Sequence, residues 1–148
     1  MLMSLHGDAL HRSLRGVTVY YPDHRLRSAS FKLSHRIYRR RKEYRRVLRF
    51  RNRDNIKSAR VSAKFGKNIV QSFKNSGIKT HSSFAVRGYY YRRGKRTLPG
   101  ILRYSKIPTS VLVEVGNLNN VEDRKALLKP GYRQRIASTL VASINQYH

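Results

Sequence analysis

The chain has 148 residues, no cysteine and a hydrophobic fraction of 39%, which fits one globular domain and excludes disulfides, thiolate zinc sites and cysteine nucleophiles. Its 33 Lys and Arg residues against 7 Asp and Glu residues give a formal net charge of +26. Such a chain should attract polyanions, and charge alone leaves nucleic acid, anionic wall polymers and acidic membrane surfaces open. No apolar run approaches the roughly 18 residues of a membrane span, and no export signal is visible at the start of the chain.

The first third of the chain predicts two strands and a basic segment. Residues 2–5 form a short apolar strand before a polar turn at 6–8, and residues 16–21 (GVTVYY) are rich in β-branched and aromatic side chains. The segment from about 24–57 is strongly basic, and the weak apolar periodicity in residues 36–46 (RIYRRRKEYRR) favours a basic helix. We interpret residues 24–57 as an insertion.

The middle of the chain predicts a helix, a loop and a short strand. Apolar residues recur at helical spacing from about residue 57 to a stop signal at 75–77 (NSG), so this helix should pack on a sheet. Residues 81–100 contain a run in which aromatic and basic side chains are mixed, which we interpret as part of a loop. Residues 101–104 are a candidate strand.

The last third predicts a buried strand and two helices. Residues 110–115 (SVLVEV) form a nearly continuous apolar run, typical of a strand buried on both faces of a parallel sheet. Asn120 is a capping residue for a helix over 121–128, and apolar residues at steps of four predict another from 132 to 144. Strands that alternate with helices predict a layered α/β domain.

Two ionisable residues, His6 and Glu114, are the candidates for chemistry. Functional side chains of α/β sheets gather at the carboxyl ends of strands. If the two strands run side by side in the same direction, these residues would meet as metal ligand and general base. A lone histidine after a strand is more often a turn residue, however, and an arginine partner would also explain a carboxylate in an apolar strand. The other five histidines are scattered.

Both candidates lie in segments that resemble the type 3 N-acetylmuramoyl-L-alanine amidases, zinc hydrolases that cut between N-acetylmuramic acid and the peptide stem of peptidoglycan. Residues 106–120 (KIPTSVLVEVGNLNN) are similar to the family's proline-led strand, catalytic glutamate, glycine and asparagine-capped helix. Residues 4–9 (SLHGDA) resemble the segment that ends in a zinc ligand, and residues 15–21 (RGVTVYY) resemble the strand that follows. The resemblance covers most of the chain outside the basic segment.

The resemblance implies that the chain is a peptidoglycan hydrolase of the cell envelope or extracellular space, in which His6 binds zinc and Glu114 is the catalytic glutamate. Zinc would lower the pKa of a bound water and polarise the amide carbonyl, and Glu114 would carry the proton to the leaving L-alanine nitrogen. The implied fold is α/β, with a mostly parallel twisted sheet flanked by helices on both faces.

The chain departs from the family pattern at the metal site. The family takes a further histidine and a glutamate ligand from an upstream strand and helix, whereas this sequence offers one ligand of the three that a catalytic zinc normally needs. We therefore expect residues 1–148 to be a partial catalytic domain that lacks the N-terminal strands and helix of the family fold. Its strands at 2–5 and 111–113 would be short of cover unless a partner chain or a missing segment completes the sheet.

The basic insertion lies where some division-associated members carry an autoinhibitory element that directs an acidic residue at the metal. Its only acids are Asp23, Glu43 and Asp54, so we expect polyanion binding rather than self-inhibition. The candidate residues for this binding are Arg39, Arg40, Arg41, Arg45, Arg46, Arg92 and Arg93. The alternative function is a non-enzymatic basic module that binds nucleic acid or anionic wall polymer. The plainer interpretation of the basic insertion and of the aromatic and basic run is a solvated charged face. A third hypothesis is a gene fragment without maintained function.

Overall fold

The computed structural model describes residues 1–27, 30–32, 47–49 and 51–147. The strands are Leu2–Asp8 (β1), Thr18–Tyr20 (β2), Ser30–Lys32 (β3), Val47–Arg49 (β4), Val86–Arg87 (β5), Tyr90–Arg92 (β6), Lys95–Thr97 (β7) and Ser110–Asn117 (β8). The helices are Asn52–Asn75 (α1), Gly100–Arg103 (α2), Val121–Leu128 (α3) and Pro130–Asn145 (α4). Within these described segments, no helix has the length and apolar character needed to cross a bilayer.

The main sheet has four strands in the order β1-β8-β2-β5. β1 runs parallel to β8, β2 runs antiparallel to β8, and β5 runs parallel to β2. The predicted α/β fold with a mostly parallel sheet is confirmed, although β8 has one antiparallel neighbour. Two antiparallel pairs, β3 with β4 and β6 with β7, lie outside this sheet.

The two faces of the sheet are covered unequally. On one face, α1 and α4 pack against β2 and β8, and the shared core contains Val17, Val19, Val111, Val113, Phe65, Ile69, Phe73, Ile136 and Leu140. On the other face, the hydrophobic cluster among the described residues is smaller and joins Leu112 and Tyr20 to Leu102 of the short helix α2 and Tyr90 of β6. Because one helical turn cannot cover a whole sheet face, an open cleft remains beside it.

The edge strand β1 is the part of the sheet with least cover. Leu5 is 56% exposed, whereas Val111 and Val113 are 0% exposed and Leu112 is 3% exposed. The expectation that residues 2–5 are short of cover holds for Leu5, whereas Met3 is half-buried against the core. The same expectation for residues 111–113 is wrong, because α1, α2 and α3 pack against β8.

Three predicted elements differ from the structure. The long helix starts at Asn52 rather than near residue 57, so it takes up the last part of the predicted insertion. Residues 101–104 are not a strand, because a helical turn begins after Pro99. Within the predicted loop, β6 and β7 form a hairpin whose turn places Arg93 and Gly94 at positive φ, 51° and 73°. The predicted basic helix at 36–46 lies outside the described residues.

Candidate active site

Strands β1 and β8 bring the two candidate residues together. Their parallel register aligns His6 with Glu114, and both line the same cleft. The expected convergence is thus confirmed, but His6 does not follow the strand in a turn, because β1 continues to Asp8. The imidazole of His6 is exposed, with Nε2 3.1 Å from the hydroxyl of Ser4.

The cleft has a volume of about 800 Å³ and opens on the thinly covered face of the sheet. Its imidazole and its two carboxyl groups come from His6 and Asp8 on β1 and from Glu114 on β8. The remaining lining is mostly apolar and aromatic, and comprises Leu10, Tyr20, Tyr21, Phe84, Val86, Arg87, Gly88, Tyr89, Tyr90, Tyr91, Pro99 and Leu112. An apolar cleft with a few convergent polar groups is the usual form of a small-molecule or catalytic site.

Glu114 has the electrostatic character of an acid–base group. Burial, with a smaller contribution from the negative charge of Asp8, raises the pKa of Glu114 from 4.5 to about 7. Its Oε2 atom is buried, and no described residue forms a hydrogen bond with it. Among the described side chains, no basic group lies within 4.0 Å of the carboxylate, so a structural arginine partner does not explain its position there.

Asp8 is a cleft residue that the sequence interpretation missed. Burial raises the pKa of this carboxyl group, while the backbone N–H of Ala9, which donates to Oδ1 at 2.8 Å, acts in the opposite direction. Its Oδ2 atom, like Oε2 of Glu114, is buried and has no hydrogen-bond partner among the described residues. The missed signal is the alternation of Ser4, His6 and Asp8, which share a face once the strand extends through residue 8.

Buried polar side chains beyond the ends of β1 and β8 fix the geometry of the site. Asn117 donates from Nδ2 to the carbonyls of His11 at 3.0 Å and Leu14 at 2.7 Å, so it holds the loop that follows β1. Asp123, in the first turn of α3, accepts from the backbone N–H groups of Gly16 at 2.7 Å and Asn117 at 2.9 Å. Together these bonds tie the loop, the end of β8 and α3 to one another.

The described residues do not make up a complete zinc site. Within residues 1–27 and 51–147, no group of three or more His, Asp or Glu side chains is placed to hold a metal ion. His6 beside Glu114 supplies one imidazole and one carboxylate, whereas a catalytic zinc normally uses three protein ligands and leaves the fourth position for water or substrate. The buried imidazole of His81 lines a different, shallower pocket.

Two of the arginines predicted to bind polyanions, Arg92 and Arg93, are described by the structure and are not part of the cleft lining. Arg92 and Arg93 are exposed at the tip of the β6–β7 hairpin, which forms one side of the cleft. Arg39, Arg40, Arg41, Arg45 and Arg46 lie outside the described residues.

The fold is similar to that of solved amidases. The N-acetylmuramyl-L-alanine amidase Ami1 from Mycobacterium smegmatis matches with a TM-score of 0.62 at 21% identity, covering 98% of this chain and 52% of that one. The CwlD amidase from Clostridioides difficile, solved in complex with the GerS lipoprotein, matches with a TM-score of 0.60 at 22% identity, covering 98% and 52%. This chain therefore spans about half the length of these relatives.

The sequence itself also matches a family. No curated protein matches the chain significantly, but the family model described as N-acetylmuramoyl-L-alanine amidase matches residues 1–146. That match includes β1, with His6, and β8, with Glu114. The chain belongs to the N-acetylmuramoyl-L-alanine amidase family.

Proposed function

We propose that this chain takes part in peptidoglycan hydrolysis, at the amide bond between N-acetylmuramic acid and the L-alanine of the stem peptide. The observation that carries the proposal is the Glu114 carboxyl group, which lines an open cleft with one buried oxygen to which no described residue forms a hydrogen bond. Membership of the amidase family supports the choice of bond. The cell envelope is the place where such a substrate occurs.

In this proposal Glu114 is the proton carrier. Its ionised form accepts a proton from the water that attacks the amide carbonyl, and its protonated form then donates to the leaving nitrogen as the C–N bond breaks. The products are the lactyl carboxylate of muramic acid and the free amine of L-alanine. A pKa of about 7 suits both roles, because the group exchanges its proton readily near neutral pH.

Zinc belongs to the proposal through His6. The imidazole is exposed in the cleft and aligned with Glu114, a suitable position for one metal ligand. The further zinc ligands have to come from residues other than 1–27 and 51–147. These residues lie either in this polypeptide or in another one that pairs with the edge strand β1. Zinc binding should therefore depend on His6 without being complete in residues 1–27 and 51–147 alone.

The proposal is tested by incubating the purified chain and zinc with a defined muramoyl-peptide and following the released peptide amine by mass spectrometry. We expect Glu114→Gln to lower kcat by about 10²- to 10⁴-fold with little change in KM, because the amide keeps the shape but cannot accept the proton. Glu122→Gln is the matched control, since Glu122 is an exposed carboxylate of α3 outside the cleft lining.

Two results would contradict the proposal. One is cleavage that persists at the wild-type rate in Glu114→Gln. The other is a folded wild-type chain, identified by a cooperative unfolding transition, that neither binds supplied zinc through His6 nor cleaves the muramoyl-peptide.

A further inference from the structure

Three aromatic residues, Phe84, Tyr89 and Tyr91, line one side of the cleft and are called the aromatic wall below. Phe84 is 70% exposed and Tyr91 is 62% exposed. Exposed apolar side chains that are contiguous and border a cleft usually mark a binding surface. The wall plays no part in the acid–base chemistry of Glu114, so it requires a separate explanation.

Two rings of the aromatic wall, those of Tyr89 and Tyr91, are held by contacts with each other and with Arg96. The rings of Tyr89 and Tyr91 meet edge to face, with centroids 5.6 Å apart and an interplanar angle of 88°. The guanidinium of Arg96 lies 4.6 Å from the centroid of Tyr89, and its Nε donates to the hydroxyl of Tyr91 at 3.4 Å. Such contacts order the rings before any ligand arrives, which lowers the entropic cost of binding.

The wall is also fixed relative to Glu114. Tyr90, between Tyr89 and Tyr91 in the sequence, packs edge to face on Tyr20 of the central sheet at a centroid distance of 6.3 Å. Tyr20 in turn is aligned with Leu112, two residues before Glu114 on β8. A ligand that contacts the wall is therefore held at a defined place in the cleft of Glu114.

Gly88 allows the aromatic ring of Tyr21 to lie close to the backbone at one end of the cleft. A Cβ atom at Gly88 would lie 3.0 Å from the Cζ and hydroxyl atoms of Tyr21. A side chain at this position would require the ring of Tyr21 to shift by a few tenths of an ångström from the chain that leads into the wall. Tyr21 thus extends the aromatic surface from the central sheet towards the hairpin.

We propose that the aromatic wall is a saccharide subsite, which stacks a sugar ring of the glycan strand beside the scissile amide. The inference rests on the proposed function, since that function places a sugar next to the bond that is cut. The C–H face of a pyranose is apolar and flat enough to pack on an aromatic ring, while its hydroxyl groups remain at the rim with tyrosine hydroxyls and water.

The charges around the wall favour a sugar ring over a polyanion. Arg96 is already stacked on Tyr89 and bonded to Tyr91, and Arg87 donates from Nε to the carbonyl of Phe84 at 2.7 Å. Both guanidinium groups are thus engaged by atoms of the wall residues, and the side chains that the wall adds to the cleft lining are aromatic rings without a formal charge. The exposed arginines Arg92 and Arg93 lie at the hairpin tip and do not line the cleft.

The test measures binding without catalysis, by calorimetry with a peptide-free tetrasaccharide of alternating N-acetylglucosamine and N-acetylmuramic acid. The wild-type chain should bind it saturably, and Phe84→Ala and Tyr91→Ala should each weaken binding by about 3- to 10-fold, the usual value of one aromatic contact. Tyr91→Phe keeps the ring and should retain most of the affinity. Leu128→Ala, at a side chain that is 77% exposed and outside the cleft lining, is the matched control and should leave binding unchanged.

The outcomes separate this inference from the proposed function. Absence of saturable tetrasaccharide binding by the folded wild-type chain overturns the subsite, even if muramoyl-peptide is cleaved. Equal losses in Phe84→Ala and Leu128→Ala also overturn it. Binding of a single-stranded oligonucleotide that competes with the sugar and is weakened by the same wall variants would assign the wall to polyanions instead. If Glu114→Gln still binds the tetrasaccharide but has lost cleavage, both proposals are supported. If the wild-type chain binds the tetrasaccharide but does not cleave muramoyl-peptide, the saccharide subsite is supported and the proposed hydrolysis is not.

Discussion

The carboxyl group of Glu114 couples protonation to folding. Its pKa is about 7 in the folded chain, against 4.5 when it is free in solvent, because burial and the charge of Asp8 disfavour the ionised form. Between these two pH values the folded chain binds more protons than the unfolded chain does. The free energy of unfolding therefore has a component that is fully present below pH 4.5 and is lost as the pH rises through 7.

We expect Glu114→Gln to be less sensitive to pH than the wild-type chain, since the amide has no proton to lose. Between pH 5 and pH 8 the wild-type chain should lose on the order of 1 kcal/mol more stability than the variant, a value reduced because the side chain is only half buried and solvent screens it. Urea denaturation of both proteins at the two pH values measures this difference. Equal losses in the two proteins would contradict the assigned pKa shift.

The ionisation of Glu114 should also affect the rate of peptidoglycan hydrolysis. A general base is active only when it is unprotonated, so kcat/KM should rise with pH as Glu114 ionises and then level off on that limb, at pH 7 or below because a bound zinc ion favours the ionised carboxylate. Stability and activity thus respond to the protonation of Glu114 in opposite directions.

At the scale of elements, the start of α3 holds the loop after β1 and the end of β8 together. Asp123 accepts two backbone hydrogen bonds, from Gly16 and Asn117, and is only 5% exposed. Its neighbour Glu122 has an exposed side chain whose ionic contact is with Lys125, 3.6 Å away on the same helix. The two adjacent acids therefore play different structural roles.

We expect Asp123→Ala to lower the free energy of unfolding by about 2 to 4 kcal/mol, because it leaves two buried N–H groups without acceptors. Glu122→Ala should change it by less than about 0.5 kcal/mol, as is usual for an exposed ion pair. Equilibrium urea unfolding at one pH compares the two variants directly. A similar small effect for both would show that the network around Asp123 is not needed for stability.

The elements that could be predicted from the sequence are those that local residues specify. Helix α3 was predicted with the bounds of the structure, because Asn120 caps it and accepts from the N–H groups of Glu122 and Asp123. The helix predicted from 132 to 144 is also present, but it begins two residues earlier, with Pro130 in its first turn. The pairing of His6 with Glu114 followed from two apolar strands and the rule that strand ends meet at one edge of a sheet.

The elements that were not predicted depend on contacts distant in the sequence or on weak local signals. The start of α1 was misplaced because Arg51, at its N-cap, makes no side-chain capping bond. The β6–β7 hairpin was interpreted as a loop because Arg93 is an unusual residue at a positive φ, where asparagine, aspartate or glycine is common. The cleft could not be predicted, because its wall is formed by a hairpin packing on Tyr20, far away in the sequence.

At the scale of the whole molecule, the net charge of +26 dominates association with other polymers. We propose that Arg92 and Arg93, exposed at the hairpin tip, bind anionic wall polymer together with the arginines of the basic insertion. This contact would hold the chain near its substrate without entering the cleft. It would add to the local concentration of substrate rather than to the chemistry at Glu114.

For this polymer contact, binding should weaken steeply as salt is added, because each neutralised anionic group releases a counterion. The paired substitution Arg92→Gln/Arg93→Gln should reduce the slope of log K against log salt by about 1 for each arginine that contacts the polymer. Fluorescence anisotropy with a labelled anionic wall polymer across a salt series measures the slope. Arg60→Gln/Lys64→Gln, on the exposed surface of α1, removes the same charge elsewhere. An equal change in both variants would mean that the hairpin tip has no special part in binding.

The register of β1 on β8 also determines when the site can form. β1 lies early in the sequence and β8 late, so their pairing closes a long loop, which is slow compared with the formation of local helices and hairpins. During synthesis, β1 leaves the ribosome long before β8 exists and cannot pair with it until β8 follows. We therefore expect His6 and Glu114 to come together later in folding than the long helix and the hairpin, which local contacts form.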